Sequence, residues 1–452
     1  MRLLAVLLAL GGLPPARAAA PEEPNAANPK AVQEVLAGTR ADANAAWWGF
    51  DPEDATEALQ AAIKSGARRV VVPNMTRDWV VRPIQLAGNQ ELVFEEGVVI
   101  AAKRGEYRGR GDSVFRATDL ANLTIRGYGA TVRMQKEDYI VGKVLQDFKW
   151  NRWFGQYEKA EWRMPLVIAG SSNVRVLGVT LRDSGGDGIM VSGTGKQRYS
   201  GNIHIRDVVC DNNYRQGISI ISADGLLVEN SVFKNTWGTP PSSGVDIEPD
   251  SPEERVRNVV FRNCRFEDNY GDGIEIFLAN LKKAKSGDVS ILFDNCRVAS
   301  SRGAGIRVTK IGDDGPGGLI KFRNTVVENT EGYGIKVQDK SAAGARVVFT
   351  GCVVRNARRN RLYAAAWAPI WFQLPSDQLT KRLGGVDFIN CVLEDGHDRP
   401  AVLAEGASGE FFLVDVKGDI QVRSPFGAKT ALKMKQEAVS LVVKEAAETN
   451  AK

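Results

Sequence analysis

Histidine is nearly absent from this chain: two residues in 452, His204 and His397, far apart in sequence. That argues against a zinc cage built on imidazoles and against a Ser-His-Asp site. Cysteine is also sparse, and five is an odd number for a disulfide scaffold. Beyond residue 20 there is no uninterrupted apolar run of about 18 residues, so no membrane span is expected. Lysine and arginine number 59 against 54 acidic residues, and the cations are dispersed without any recognition motif. Nucleic acid is therefore not expected as a partner, while a mild basic excess is compatible with an acidic polymer. A content of 43% hydrophobic and 25% charged residues excludes wholesale disorder.

The first 20 residues read as a cleaved signal peptide. Arg2 supplies the positive start, Leu3 to Leu13 are almost wholly apolar, and the alanines at 16, 18, 19 and 20 offer small-residue cleavage sites. A secreted or periplasmic location follows. Residues 21–50 are rich in Ala, Pro and Asn and read as a leader, with a short helix near Ala31 to Leu36.

What is abundant is a repeat. Glycine followed by an apolar–variable–apolar triplet recurs at Gly188, Gly217, Gly244, Gly273, Gly305 and Gly334, at spacings of 29, 27, 29, 32 and 29. Upstream of most copies stands a second strand ending in a polar turn, as in Phe261 to Asn269. Such repeats hold short Val- and Ile-rich strands and have no room for a 10-residue helix. The leucine consensus of a horseshoe is missing, and a propeller blade needs about 40 or more residues. Coiling the chain so that equivalent strands stack in parallel satisfies the backbone and points the flanking apolar residues inward. Crossovers of this kind are right-handed, so the expected fold is all-β, a right-handed parallel β-helix over residues 51–428. Residues 429–452 read as a C-terminal cap or tail, because the repeat fades after Pro400.

Asn230, Asn263, Asn295, Asn324 and Asn390 recur at one turn, where asparagine tolerates the left-handed conformation and its amide bonds to neighbouring rungs. Cys264, Cys296, Cys352 and Cys391 follow the same turn and read as small buried fillers. Cys264 and Cys296 are the pair that stacking could bring within bonding range. Asp54 to Ile63 reads as an amphipathic helix capping the open end of the stack, followed by a first strand from Arg69 to Val72.

The run Asp54 to Ile63 (DATEALQAAI), then Val70 to Pro73, Pro83 to Leu86 and Leu92 to Gly97, resembles the N-terminal part of pectin-lyase-like proteins. The later coils resemble the β-helix repeats of that superfamily, and the likeness extends over roughly residues 50 to 400. It implies a fold rather than a reaction, since the superfamily contains lyases, hydrolases, epimerases and phage adhesins. It also implies that the outward face of the triplets floors a polysaccharide groove.

The variable residues of the triplets point outward and form one column: Met190, Ser219, Asp246, Glu275, Arg307, Lys336. Neighbours in it are about 4.8 Å apart. Glu248 shares the face of Asp246, and Asp187 and Asp272 precede their glycines and can lean in from the turn. Paired opposite charges on a sheet face are ordinary. Stacked carboxylates repel unless a cation, a proton or a substrate compensates. Asp246, Glu248, Glu275, Arg307 and Lys336 are therefore the candidate catalytic group.

Two reactions suit it. For β-elimination of a uronate, calcium held by Asp246, Glu275 and Asp272 would neutralise the substrate acid, with Arg307 or Lys336 as base or clamp. For glycoside hydrolysis, Asp246/Glu248 or Asp246/Glu275 would supply the paired carboxyls. The Asn-Thr-Asp and Gly-His-Gly signatures of polygalacturonases are absent. The reading leans to a lyase on an acidic polysaccharide, with a hydrolase or a non-catalytic carbohydrate-binding adhesin as alternatives and calcium as the one cofactor expected.

Aromatics concentrate in the insertions: Trp150, Trp153, Phe154, Tyr157 and Trp162, then Trp237, then Trp367 and Trp371. Such rings either pack loops onto the coil or stack on sugars. Trp237 and Trp153 are the candidates for substrate contact, together with Asp187 and Asp272. The basic stretch Lys103 to Asp112 lacks phosphate-loop spacing and reads as a solvated loop. His204 reads as a packed residue in a strand.

Overall fold

A computed structural model of the chain describes residues 25–139, 160–358, 368–407 and 409–446. Residues 1–20, the stretch read as a signal peptide, lie outside them, as does Trp153. The expected right-handed parallel β-helix is what these residues build. One ladder of 12 short parallel strands runs from Ile84–Gln85 to Thr430–Leu432 and carries the glycine-led triplets. The other rungs form two further ladders that join into one 25-stranded sheet, because Arg382–Glu394 and Phe412–Arg423 bend continuously from one ladder to the next.

The alternation of the triplets decides what is inside. Ile218 and Ile220, Val245 and Ile247, Ile274 and Ile276, and Ile306 and Val308 are fully buried on consecutive rungs. On the neighbouring ladder Phe261, Phe293, Phe322, Phe349 and Phe388 stack in a file, with centroid separations of 4.8, 5.2, 4.9 and 5.1 Å. Removing one such ring leaves a cavity its rigid neighbours cannot fill, a loss of about 3–5 kcal/mol.

The asparagine turn behaves as its chemistry requires. Asn230, Asn263 and Asn295 adopt φ of 50°, 54° and 54°. The Nδ2 of Asn263 donates to Oδ1 of Asn230 at 3.2 Å, and that of Asn295 to Oδ1 of Asn263 at 2.7 Å. A second file, Asn122, Asn173 and Asn202, does the same at another corner. All five cysteines are buried and free. Cys264 and Cys296 both turn their thiols to strand carbonyls, so they act as fillers and not as a bridge.

Both ends extend further than the repeat suggests. Helix α1 (Pro29–Leu36) buries Ala31 and Val35, and the short strand Asp42–Asn44 pairs in parallel with Arg69–Val71. The coil therefore begins inside the stretch read as a leader, and Arg69 to Val72 is its second rung. Helix α2 (Thr56–Lys64) covers the open end with Leu59, Ala62 and Ile63. It starts two residues after Asp54, whose Oδ1 accepts from the Thr56 amide at 3.1 Å. At the far end, Val402–Gly406 pairs with Thr430–Leu432, and Phe412–Arg423 with Lys435–Glu437 and Ser440–Glu445. Parallel pairing thus continues past Pro400 although the glycine signature is gone.

Candidate functional site

The register of the first ladder sets the site. Ser219 pairs with Asp246, Asp246 with Glu275, Glu275 with Arg307, Arg307 with Lys336, and Lys336 with Trp371. Residues separated by up to 152 positions in sequence, Ser219 to Trp371, become one outward column, whose order as far as Lys336 is the one the triplet spacing predicts.

The column is deeply set. Asp246 is 2% exposed and Glu275 7%. The residues before the glycines make this tolerable. Gln216 Nε2 donates to Asp246 Oδ2 at 2.8 Å, and Ser243 Oγ donates to Glu275 Oε2 at 3.2 Å. Asp246 Oδ1 finds no donor among the described residues. Asp272, buried before Gly273, accepts the Ala304 amide on Oδ1 and meets Arg307 Nε at 2.6 Å through Oδ2. Gly303 leaves room for that carboxylate, since a Cβ there would stand 2.2 Å from Asp272 Oδ1. On the same flank, toward the N-terminal coils, Arg215 grips Asp187 through two bonds, at 2.8 and 2.9 Å, and lies 3.4 Å from Ser219 Oγ.

This environment shifts the titrations. Burial, then the neighbouring Glu275 and Glu248, push the Asp246 carboxyl well above its usual range. Burial and Asp272 push Glu275 up to about 7, against the pull of Arg307. Burial also raises Asp272 despite Arg307. In the other direction, burial and the adjacent Arg307 push Lys336 down to about 8. Burial works against the charge of Arg307, but Asp272 and Glu275 more than offset it, so the guanidinium stays charged. The Lys336 ammonium lies 4.7 Å from the Trp371 ring and 5.7 Å from that of Tyr333, and the two rings stack at 4.4 Å.

The expected calcium set does not converge. Among the described residues no three His, Cys, Asp or Glu side chains group as a metal cage. Arg307 occupies the position between Asp272 and Glu275 that a cation would take, at 2.6 and 3.7 Å from their oxygens. Gln216 fills one oxygen of Asp246. Three carboxylates already matched to a guanidinium and two neutral donors do not fit a calcium ion, which takes six to eight oxygens.

Trp237 is also placed differently. Its backbone amide donates to Asn213 O at 3.1 Å, at the far end of the turn that leads into the first ladder. Its Nε1 donates to Asn212 Oδ1 at 2.8 Å, and Lys136 Nζ lies 4.0 Å from the ring. Together they line a cavity of about 290 Å³ that includes none of the column residues. His204 points outward rather than into the packing, 2.9 Å from Glu229. Sequence reasoning passed over Arg215, Gln216, Ser243 and Tyr333. Each lies one or two positions before a repeat glycine, the same place that singled out Asp187 and Asp272.

A family profile described as a right-handed β-helix region matches residues 165–286 and 199–373. The A-module of the mannuronan C-5 epimerase AlgE6 of Azotobacter vinelandii superposes with a TM-score of 0.56 at 15% identity, covering 89% of this chain and 99% of that one. The chain has the right-handed parallel β-helix fold. Another solved β-helix, the tailspike protein of E. coli bacteriophage HK620 in complex with a pentasaccharide, gives 0.54 at 13% identity, over 89% of this chain and 79% of that one. In sequence, the SPbeta prophage-derived uncharacterized protein YorA of Bacillus subtilis is 25% identical over 282 residues, 58% of this chain. The β-helix chain spans less than half of that relative, 45% of its length. No helix of the described residues is long and apolar enough to cross a membrane.

Proposed function

We propose that this β-helix acts on a polysaccharide bearing acidic sugars, and that the centre formed by Glu275, Arg307 and Lys336 carries out β-elimination. The observation that carries this reading is a carboxyl raised to about 7 and an amine lowered to about 8, two rungs apart with a guanidinium between them. Groups poised near neutrality are what proton transfer requires. The neutral Lys336 amine takes the proton from the carbon next to the substrate carboxylate. Arg307 holds that carboxylate and the charge developing on it, the role sequence reasoning gave to calcium. The electron pair forms a carbon–carbon double bond, the glycosidic C–O bond breaks, and the leaving oxygen takes its proton from Glu275 or Asp246.

Hydrolysis is the second reading, favoured by the adjacent, proton-holding carboxyls Asp246 and Glu275. The likeness to a tailspike solved with a pentasaccharide is compatible with it. The exported location read from residues 1–20 agrees with either reaction on an extracellular polymer.

A panel of uronate polymers separates the readings. Ultraviolet absorbance of a new double bond supports elimination, and reducing ends without that absorbance support hydrolysis. Binding without either supports a non-catalytic module. Calcium and a chelator should leave the rate unchanged.

A further inference from the structure

A groove of about 740 Å³ runs along the outer side of the ladder that carries the stacked phenylalanines, and it contains none of the column residues. Its floor is the outward row Thr124, Arg175, His204, Leu227 and Val260, paired on consecutive rungs over about 19 Å. One wall is the second asparagine file, Asn122, Asn173 and Asn202, with Asn258 further on. The volume lies in the range of ligand sites, and the reaction at the column does not use it.

Two features mark the middle of this groove. The asparagine file is interrupted there. Nδ2 of Asn122, Asn173 and Asn202 each donates to the preceding Oδ1, at 2.8, 3.0 and 2.6 Å. The next position is Gly225, at φ 84°, and Asn258 turns its amide to Asp224 at 3.1 Å instead. The wall therefore has a notch beside Leu227, where Asn202 Oδ1 meets no donor among the described residues. The second feature is Arg175, one rung before His204. Around it Arg126, Arg206 and Arg262 hold Glu91, Asp207 and Glu229, at 3.0, 3.3 and 3.1 Å. Glu229 is met from its other side by His204 Nε2 at 2.9 Å. Arg175 alone of these four arginines has neither hydrogen bond nor ion pair among the described residues.

We propose that this groove is a second saccharide-binding site, separate from the column, which holds about four units of an acidic polysaccharide with one carboxylate on Arg175. The choice of polymer rests on the reading of the centre given above. Each carboxamide of the file keeps one N–H and one lone pair beyond its ladder bond, a donor and an acceptor suited to hydroxyls. Leu227 and Val260 give the sugar C–H faces an apolar floor. Rungs about 4.8 Å apart match the rise of a sugar chain at about one unit per rung. A peptide fits less well, because every strand beneath the groove is paired on both sides and offers no edge to extend.

The test is calorimetric binding of tetragalacturonate to the full chain carrying Glu275→Gln, which turns over too slowly to consume it. Adding Arg175→Ala should weaken a bound saccharide roughly tenfold. Gly225→Asn, which completes the file and fills the notch, should weaken it comparably. That variant should keep the thermal midpoint, since the flanking asparagines Asn202 and Asn258 adopt φ of 52° and 51°. The methyl ester, without charge, should bind alike with and without Arg175. Unaltered affinity in both variants, or an ester bound as tightly as the acid, would overturn the groove assignment and leave the centre standing. Tighter binding of tetraglutamate, lost with Arg175, would overturn the saccharide in favour of an acidic peptide. Wild-type chain without turnover would overturn the reading of the centre, whereas an affinity that depends on Arg175 would still uphold the groove.

Discussion

On the outer side of the second ladder the rungs read Arg206, Glu229, Arg262, Asp294, Arg323. Arg262 sits 3.1 Å from Glu229 and 3.7 Å from Asp294, and Arg323 grips Asp294 at 2.6 Å. The arginines there are nearly half exposed. On the first ladder, the same construction stacks Asp246 on Glu275 and Arg307 on Lys336, and buries the acids. An alternating column pairs each acid with arginines from the rungs beside it and satisfies itself. A column that puts like charges together in a dry place stays under tension, held in check by protons and by the flanking arginines. On the proposed reading, the contrast separates a structural charge pattern from a functional one on a single fold.

The sharpest way to break it is at Glu275. Glu275→Gln keeps the shape and the Ser243 contact but removes the proton, and kcat should fall at least about 100-fold with the thermal midpoint preserved. An unchanged rate would remove Glu275 from the reaction.

The stability of the same pair of proteins should diverge with pH. Glu275 goes from 4.5 to about 7 on folding, so between these values the folded chain holds a proton that the unfolded chain releases. Wild type should therefore lose stability as pH rises from about 4.5 to 7, by at most about 3 kcal/mol, and level off above. Glu275→Gln should show a shallower slope in urea titrations, keeping the part that the raised Asp246 and Asp272 contribute. A wild-type protein of flat stability over this range would argue against the burial of the acid.

Arg307→Gln leaves Asp272 buried without its partner. A loss of about 2–3 kcal/mol in the urea-derived stability is expected, together with the activity. Arg262→Gln makes the matching change on the wet column. It should cost less than about 1 kcal/mol, shrink further at high salt and leave turnover alone. Equal costs for the two arginines would erase the distinction between the columns.

Activity sharpens the comparison from another side. Elimination by protonated Glu275 and neutral Lys336 gives a bell in kcat/KM with limbs at about 7 and about 8. Lys336→Arg, charged throughout, should abolish turnover rather than shift the bell.

Glycine spacing alone carried the register of the column, since a triplet that alternates in, out, in has one way to stack. The same logic placed Asp187 and Asp272 beside it. The donors Gln216 and Ser243 obeyed the same rule, but a neutral residue before a glycine attracts no notice until the acid it supports is seen to be buried. The Arg215–Asp187 pair joins successive coils through a side chain that no period describes. Trp237 went astray because it stands at the start of the turn that Ser243 ends, and sequence nearness to Gly244 does not show which side of that turn a ring faces. The strand Asp42–Asn44 and the strands from Thr430 to Glu445 escaped notice because pairing partners, not composition, make them strands.

The unequal distances between the glycines, 27 to 32 residues, have a consequence for how such a chain can change. Extra length is absorbed at the corners, so residues added at Trp237–Ser243 would pass unfelt by the stacked triplets. One residue added within Val245–Ile247 would turn Asp246 into the interior. A new ligand is thus most readily acquired by exchanging a corner, with the reacting groups left where they stand.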